Sequence, residues 1–569
     1  MKKEWKISTS HQDKVQEISG ELNIHPLIIQ VLSNRGIEEK DSIYNFLHPS
    51  LKNLHSPFHM KDMDKAVDRI TKAILNREKI VIYGDYDADG VTSTALLLDF
   101  LQGLGGNVSY SIPNRLEEGY GLNREALDQI VQSGTQLVIT VDCGISNIQE
   151  IAYARMLGMD TIITDHHEIP VDLPPALAIV NPKQPGCRFP FKELAGVGVV
   201  FNLIIALRAR LREMGFWKNA LVPNLKNYLD LVALGTVADM VPLADENRIF
   251  VKMGLTLLTK GLRPGIAALK SVSGLETKEI KASDVGFKLA PRINAGGRIG
   301  VANDGVELFI ARSRDTAQPF AERLNQNNHQ RHRIEEQILS DVLKHIDIDS
   351  SLLQRKCLVL ASSKWHPGVI GIVAARLVEQ YLRPVILISL KDRIGKGSGR
   401  SIKEFNLYQG LECCRHLLQG FGGHKCAAGM TLLEDNITEF YTSFEAVVKE
   451  SLRERELYPE IEIDSMVNLD DLTEAFTEHL CLLPPFGIAN PEPVFCASGF
   501  NITEAQVVGK KHLKFKVFQN TTPFEVIGFN MDHYQPYLSS SIQMAFVPQI
   551  NMWQGKRSLQ LKLKDIKID

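Results

Sequence analysis

Long apolar runs are absent from this sequence. No stretch of its 569 residues reaches the roughly 18 to 20 consecutive apolar positions of a membrane span, which excludes a helical integral membrane protein. Met1-Lys2-Lys3-Glu4-Trp5 carries none of the apolar segment of a secretory signal. The Cys-x-x-Cys spacing is also missing. The eight cysteines are scattered, which argues against a zinc or redox motif and fits a reducing cytoplasm. A large surplus of one charge is missing too, the formal net charge being -3, but the local balance is uneven. Between Arg355 and Met430 there are twelve Lys/Arg against four Asp/Glu, from Glu434 to Glu504 three against sixteen, and from Ala505 onward nine against four. Two basic blocks around an acidic one are candidate polyanion-binding surfaces. The length exceeds what one core supports, so two to four domains are expected.

What is present centres on Tyr83-Gly84-Asp85-Tyr86-Asp87-Ala88-Asp89-Gly90. An apolar run, Lys79–Ile82, precedes it and Val91–Leu98 follows, which reads as strand, acidic loop, helix. Three carboxylates at alternate positions repel one another unless a cation lies among them, and oxygen donors suit Mg2+ or Mn2+. A solvated acidic turn is the alternative when the loop is taken alone. Further apolar runs at Val108–Ile112, Leu137–Val141, Thr161–Thr164 and Leu177–Val180 alternate with helical stretches such as Asn123–Gln132 and Ile148–Leu157. That alternation predicts βαβ units and a largely parallel sheet, with the ligand site beyond the carboxyl ends of the strands. Asp142-Cys143-Gly144 and Asp165-His166-His167 follow two of those runs, and a helix from Asn224 delivers Asp239. Carboxylates and imidazoles gathered at one sheet edge without thiolates point to a manganese or magnesium site.

Tyr-Gly-Asp-Tyr-Asp-Ala-Asp-Gly, Val-Asp-Cys-Gly (141–144), Thr-Asp-His-His (164–167) and Gly-Thr-Val-Ala-Asp-Met-Val-Pro-Leu (235–243) resemble, in order and spacing, the motifs of the DHH phosphoesterases. The match is nearest to the single-stranded-DNA-specific exonuclease branch of that family. The resemblance implies two divalent cations, Mn2+ or Mg2+, held by Asp87, Asp89, Asp142, His166 and Asp239, with Asp142 as the bridge. Asp85 extends the alternating set as an additional ligand. His167 is implied beside the site, facing substrate phosphate, with Asp165 orienting an imidazole, whereas Cys143 reads as small apolar packing. Two cations about 3.5–4 Å apart suit phosphodiester hydrolysis without a separate protein base.

The resemblance extends along the chain after about residue 60. Arg115 in Asn114–Gly121 is expected to contact phosphate. Arg292 and Arg298 in Ala290–Gly300 sit among small residues that would let backbone approach a phosphate. A long helix over Asp315–Ile346 is expected as a connector, with Arg323, Arg331 and Arg333 on a face that could follow nucleic acid. The Gly-rich stretches Gly395–Ser401 and Gly420–Gly429 resemble the DHH-associated domain, which makes Ser398, Arg400 and His424 candidates for holding a terminal phosphate or the adjacent backbone. Leu483–Pro493 resembles the lead into an OB-fold, with Ala489 where the family places glycine. Beyond it, Leu513–Phe518 and Ser558–Lys564 alternate lysines with apolar residues as strands do.

The fold expected is therefore α/β. An N-terminal helical segment (1–59) precedes a parallel-sheet DHH domain (60–283) and a connecting helical region (284–350). A smaller α/β DHH-associated domain (351–455) and a C-terminal OB-fold β-barrel (456–569) follow. By resemblance, the activity is 5′-to-3′ exonucleolytic hydrolysis of single-stranded DNA to mononucleotides in repair and recombination. The expected protein is a monomer without membrane association, with a helicase and a single-strand-binding protein as partners. Two alternatives remain: a DHH phosphodiesterase acting on dinucleotides or short RNA, and a non-catalytic DNA-binding scaffold.

Overall fold

Strand β1 (Glu4–Ile7) opens the chain, and helices Gln12–Leu22, Pro26–Asn34 and Lys40–Leu47 follow. The computed structural model describes residues 3–8, 12–114, 119, 121–218, 220–453, 457–520, 522–553 and 556–568. The first domain is built on β2 (Lys79–Gly84), β3 (Asn107–Ser111), β4 (Leu137–Val141), β5 (Asp160–Thr164) and β6 (Ala178–Val180), in the spatial order β3-β2-β4-β5-β6. Every pairing in this sheet is parallel. Alternate residues serve two cores: Ile80, Ile82, Ile139 and Val141 point into one, Val81, Tyr83, Val138 and Ile163 into the other. Burial of both faces explains why these strands read as unbroken apolar runs. The helix expected from Asn224 is a 3-10 turn at Leu225–Tyr228 continuing as Leu229–Ala238.

The long connector is one helix, Arg314–Ile348, capped by Ser313 and carrying Pro319 near its start. Its buried stripe is divided. Ala317, Ala321 and Leu324 join the core of the first domain, whereas Ile338, Val342 and Ile346 join that of the second. The second domain holds β7 (Leu358–Ser362), β8 (Val385–Lys391), β9 (Ile394–Arg400), β10 (Gly420–Gly423) and β11 (Ala427–Leu433), in the order β10-β11-β9-β8-β7. The Gly-rich stretch from Gly395 is thus strand rather than loop. Gly395, Gly397 and Gly399 lie on its buried face, where an added Cβ would meet Ile388, Met430 and Leu407, while Lys396, Ser398 and Arg400 occupy the other.

The C-terminal domain begins after β12 (Glu460–Ile463) and contains β13 (Ser465–Met466), β14 (Phe495–Ala497), β15 (Asn501–Val508), β16 (His512–Phe518), β17 (Phe524–Gly528), β18 (Ile542–Trp553) and β19 (Lys556–Ile568). These seven strands, β13 to β19, form a sheet in the order β13-β14-β18-β19-β17-β16-β15. The first fifty residues are not a separate helical appendage. β1 pairs in parallel with β12, and Val15, Ile28, Val31 and Phe46 share one core with Phe476, Phe495, Phe515 and Phe546. Aromatics of the C-terminal sheet therefore fill its interior. No helix among the described residues is long and apolar enough to cross a membrane.

Candidate metal centre

Five elements deliver side chains to the carboxyl edge of the first sheet. β2 ends at Gly84, so Asp85 leaves the strand directly into the site, where it is 5% exposed. Asp87 caps the helix Ala88–Gly103, accepting the N–H groups of Asp89 at 2.9 Å and Gly90 at 3.1 Å. Asp89 lies in the first turn of that helix. It accepts two more N–H groups, Gly196 at 2.6 Å and Val197 at 2.9 Å, from the start of helix Gly196–Glu213. A helix N-terminus favours an adjacent negative charge, so this carboxylate is oriented and steadied by backbone. Asp142 follows β4 with φ of 61°, in the left-handed region, and is 2% exposed. Asp239 sits at the C-cap of Leu229–Ala238.

His166 Nε2 lies 3.1 Å from Asp142 Oδ1 and 3.6 Å from Asp239 Oδ2. Among the described residues neither His166 Nε2 nor Asp239 Oδ2 has a hydrogen-bond partner, although both atoms are buried. Asp165 organises the imidazoles from behind. It accepts the N–H groups of His166 (2.7 Å), His167 (3.1 Å) and Ile145 (3.0 Å) and pairs with His167 Nδ1 at 2.7 Å.

So many carboxylates in one buried place raise their own proton affinity. Burial first, then Asp89 and Asp87, holds Asp142 well above the ordinary carboxylate range. Burial and Asp87 push Asp89 up to about 7, against the N–H groups of Val197 and Gly196. Asp239 is pushed up to about 9 by burial and then by Asp89 and Asp87. His166 is lowered to about 3 by burial and its neighbour His167, which keeps its imidazole neutral with a lone pair available. For His167, burial acts downward, but the bond to Asp165 and its charge prevail and the ring is raised to about 9. The two adjacent histidines are therefore shifted in opposite directions, His166 toward the neutral ring and His167 toward the protonated one.

Three sets of donors lie within 4.8 Å of one another: Asp85, Asp87 and Asp142; Asp89, His166 and Asp239; and Asp142, His166 and His167. Oxygen and imidazole donors with unsatisfied buried atoms fit hard divalent cations, and Asp142 adjoins both of the first two groups. Cys143 packs behind, its Sγ 3.6 Å from the Tyr83 carbonyl.

The basic residues are dispersed. Arg115 lies outside the described residues. The segment Ala290–Ile299 is a helix, and the backbone that its small residues admit is the acidic loop itself: a Cβ on Gly297 would lie 2.4 Å from the Tyr86 carbonyl. Arg292 donates to Asn325 Oδ1 at 2.9 Å and to the Lys288 carbonyl at 2.5 Å. Arg298 donates to the Gly368 carbonyl at 3.2 Å, joining this helix to the second domain. On the connector, Arg323 pairs with Asp304 and Arg331 with Glu335. Ser398 and Arg400 are together, Arg400 Nη1 lying 3.3 Å from Ser398 Oγ, and both adjoin Gly371 in the first turn of helix Ile370–Tyr381. His424 is exposed in the turn between β10 and β11. Glu168 is held low mainly by its bond to Lys183, with a smaller contribution from the charge of His424.

Sequence reading missed the contributors that act through backbone. Gly196 and Val197 donate to Asp89, and Asn294 Oδ1 accepts the Ala88 N–H at 2.8 Å. Gly235 allows close packing, since its Cβ would lie 2.8 Å from Asp89 Oδ1. The available signal was the run Ala195-Gly196-Val197-Gly198 before an apolar helix.

Fold and site together define a phosphoesterase of the DHH class. The DHH family N-terminal domain matches residues 79–236, the DHHA1 domain residues 354–450 and the RecJ OB domain residues 463–565. The chain is 39% identical over 570 residues to the single-stranded-DNA-specific exonuclease RecJ of Bacillus subtilis, spanning 99% of this chain and 71% of that protein. To the RecJ of Escherichia coli it is 37% identical over the whole of both chains. The crystal structure of Thermus thermophilus RecJ in complex with Mn2+ superposes with a TM-score of 0.84 at 30% identity, covering 100% of this chain and 80% of that one. The chain belongs to the RecJ family of single-stranded-DNA-specific exonucleases.

Proposed function

We propose that this protein is a divalent-metal-dependent exonuclease that hydrolyses single-stranded DNA from its 5′ end to mononucleotides. The observation that carries this reading is the gathering of three donor sets at one sheet edge, in a chain whose second domain pairs Ser398 with Arg400 beside a helix start. Asp85, Asp87 and Asp142 would hold one Mn2+ or Mg2+ ion, and Asp89, His166 and Asp239 the other. When bound, two such cations supply an acidified water and neutralise charge on the phosphoryl and leaving oxygens. The protein's part is orientation. Asp165 fixes both imidazoles, the helix start at Gly196 fixes Asp89, and His167, oriented by Asp165, is assigned to a phosphate oxygen.

Arg115, Arg292, Arg298, Ser398, Arg400 and His424 are assigned to the DNA backbone. Ser398 and Arg400 suit a terminal phosphate because a guanidinium, a hydroxyl and a helix N-terminus converge there. The working units are taken as 60–283 for chemistry, 284–350 as connector, 351–455 for the terminal phosphate, and 456–569 with 1–59 for the trailing strand. The protein is assigned as a cytoplasmic monomer that meets a helicase and a single-strand-binding protein on its substrate. Dinucleotide hydrolysis is disfavoured because that substrate would not need the C-terminal domain, and a silent scaffold is disfavoured because every residue expected as a ligand is present in the sequence.

A test uses 5′-labelled and 3′-labelled single-stranded oligonucleotides with Mn2+, Mg2+ or chelator. Immediate release of labelled mononucleotide from the 5′ end in metal alone is expected. Metal-independent cleavage, or no cleavage, would refute the reading.

A further inference from the structure

Three consecutive residues at the start of helix Asp245–Lys260 are fully buried although all are polar: Glu246 and Asn247 at 0% exposure and Arg248 at 1%. They lie outside the site, and each holds a different part of the molecule. Glu246 accepts the His55 N–H at 2.8 Å and Asn202 Nδ2 at 2.9 Å. Asn202 belongs to the helix Gly196–Glu213 whose first N–H groups grip Asp89. Asn247 donates to the Pro242 carbonyl at 3.0 Å and to the Glu193 carbonyl at 2.6 Å, pinning the loop that leaves Asp239.

Arg248 pairs with no carboxylate among the described residues. Its guanidinium lies 3.7 Å above the Phe46 ring and donates to the Phe46 carbonyl (2.8 Å) and to those of Leu482 (3.0 Å), Pro484 (3.3 Å) and Pro485 (3.4 Å). Burying a cation without a counter-ion is unfavourable unless its donors find partners, and four of the five N–H groups meet carbonyls from two distant segments. The segment gripped this way also reaches the Asp239 loop directly. Leu243 N–H donates to the Ile488 carbonyl at 2.8 Å, and a Cβ on Gly487 would press on Leu243 at 2.7 Å. Residues 482–488 lead into the C-terminal sheet and contact no proposed ligand themselves.

We propose that Arg248 is a positioning residue: by locking the entry segment of the C-terminal domain against Pro242–Leu243, it sets Asp239 for metal binding. The inference rests on the metal-site reading above and deepens it, because the C-terminal domain then completes the centre as well as holding DNA. Groups that orient a metal ligand from outside typically change metal affinity by about 10- to 100-fold.

The test is calorimetric titration of the full chain with Mn2+, alongside oligothymidylate binding measured in chelator. Arg248→Met, which keeps the stem and removes the donors, is expected to weaken Mn2+ binding by about 10- to 100-fold and to leave oligothymidylate affinity within a small factor. Arg248→Lys should recover part of the metal affinity. Gly487→Ala, at an exposed position, perturbs the same route from its far side and should weaken Mn2+ binding even if Arg248→Met fails to fold. Unchanged Mn2+ affinity in the variants that fold, with thermal stability alone reduced, would overturn the proposal. Because the readout is metal binding, a wild-type chain that holds Mn2+ yet cuts no single strand refutes the nuclease reading and leaves this inference decided by the same titrations.

Discussion

The acidic edge of the first domain and the phosphate-facing surface of the second are built on opposite terms. Asp85, Asp89, Asp142 and His166 are buried, and their positions are fixed by backbone N–H groups, a capped helix and the Asp165 bonds. Gly422, Gly423, His424 and Lys425 are exposed, and Ser398 and Arg400 hold mainly to each other and their own strand. Charge placed in a dry, rigid site is sensitive to small displacements, whereas a wet surface tolerates them. On the proposed function, the chemistry is assigned to the first region and the register of the substrate to the second.

Substitutions should separate the two. Asp87→Ala removes both a metal donor and a helix cap, so single-turnover cleavage should fall by about 1000-fold or more while oligonucleotide affinity in chelator persists; retained turnover would refute the ligand assignment. Gly235→Ala adds no charge, but its Cβ would meet Thr92 Oγ1 at 2.3 Å and Asp89 Oδ1 at 2.8 Å. Misplacement on this scale should lower the cleavage rate by about 100-fold, with the DNA concentration for half-maximal rate little changed. Arg400→Ala should show the reverse split. Losing a charge-assisted contact of about 1.5–3 kcal/mol should raise KM for a 5′-phosphorylated strand roughly tenfold or more and affect kcat less.

A pH series on the chelated protein sharpens the same contrast. Asp89 and Asp239, ordinarily near 3.8, are raised to about 7 and about 9, and His167, ordinarily 6.5, to about 9. All three bind protons more tightly folded than unfolded, so their stabilisation is lost as pH rises through the folded values. His166 acts oppositely but only below about 6.5, since its folded value is about 3. Denaturant midpoints in chelator should therefore fall steadily from pH 6.5 to 9. Mn2+ should reverse the trend, because ligand deprotonation favours metal. A flat profile in chelator would remove the account of mutual repulsion.

The smallest effects belong to the C-terminal domain. Ala489 holds φ of 59°, a left-handed conformation in which an L side chain is strained. Ala489→Gly should raise stability by about 1 kcal/mol in chemical denaturation. Lys514 and Lys516 already pair with Glu525 and Glu504 at 3.1 and 2.8 Å. Their joint replacement by Ala should shift oligonucleotide affinity less than Arg400→Ala does, read as a shallower salt dependence.

How much was legible in the sequence differs by region for one reason. In the parallel sheet, the strands and the chemistry at their ends follow from local pattern: apolar runs end, and the next residues are Asp85, Asp142 and Asp165-His166-His167. Period and punctuation suffice there. The glycine-rich strand β9 was harder because glycine signals a turn by default, and only its neighbours Ile388, Met430 and Leu407 make it a packed strand. The arginines of Ala290–Ile299 also have structural partners that no local pattern names, Arg292 bonding to Lys288 and Asn325 and Arg298 to Gly368.

The sequence by itself determined the carboxylates and imidazoles at the strand ends, the connector helix and the order of the three domains. Those depend on contacts within a few residues or on periodicity along one element. Tertiary structure decided that the N-terminal helices join the C-terminal core, that Asp89 is held by a helix starting more than a hundred residues later, and that Arg248 binds carbonyls at positions 46 and 482–485. Such partnerships are long-range and use backbone N–H and C=O groups, which every residue carries and which leave no mark in the order of side chains.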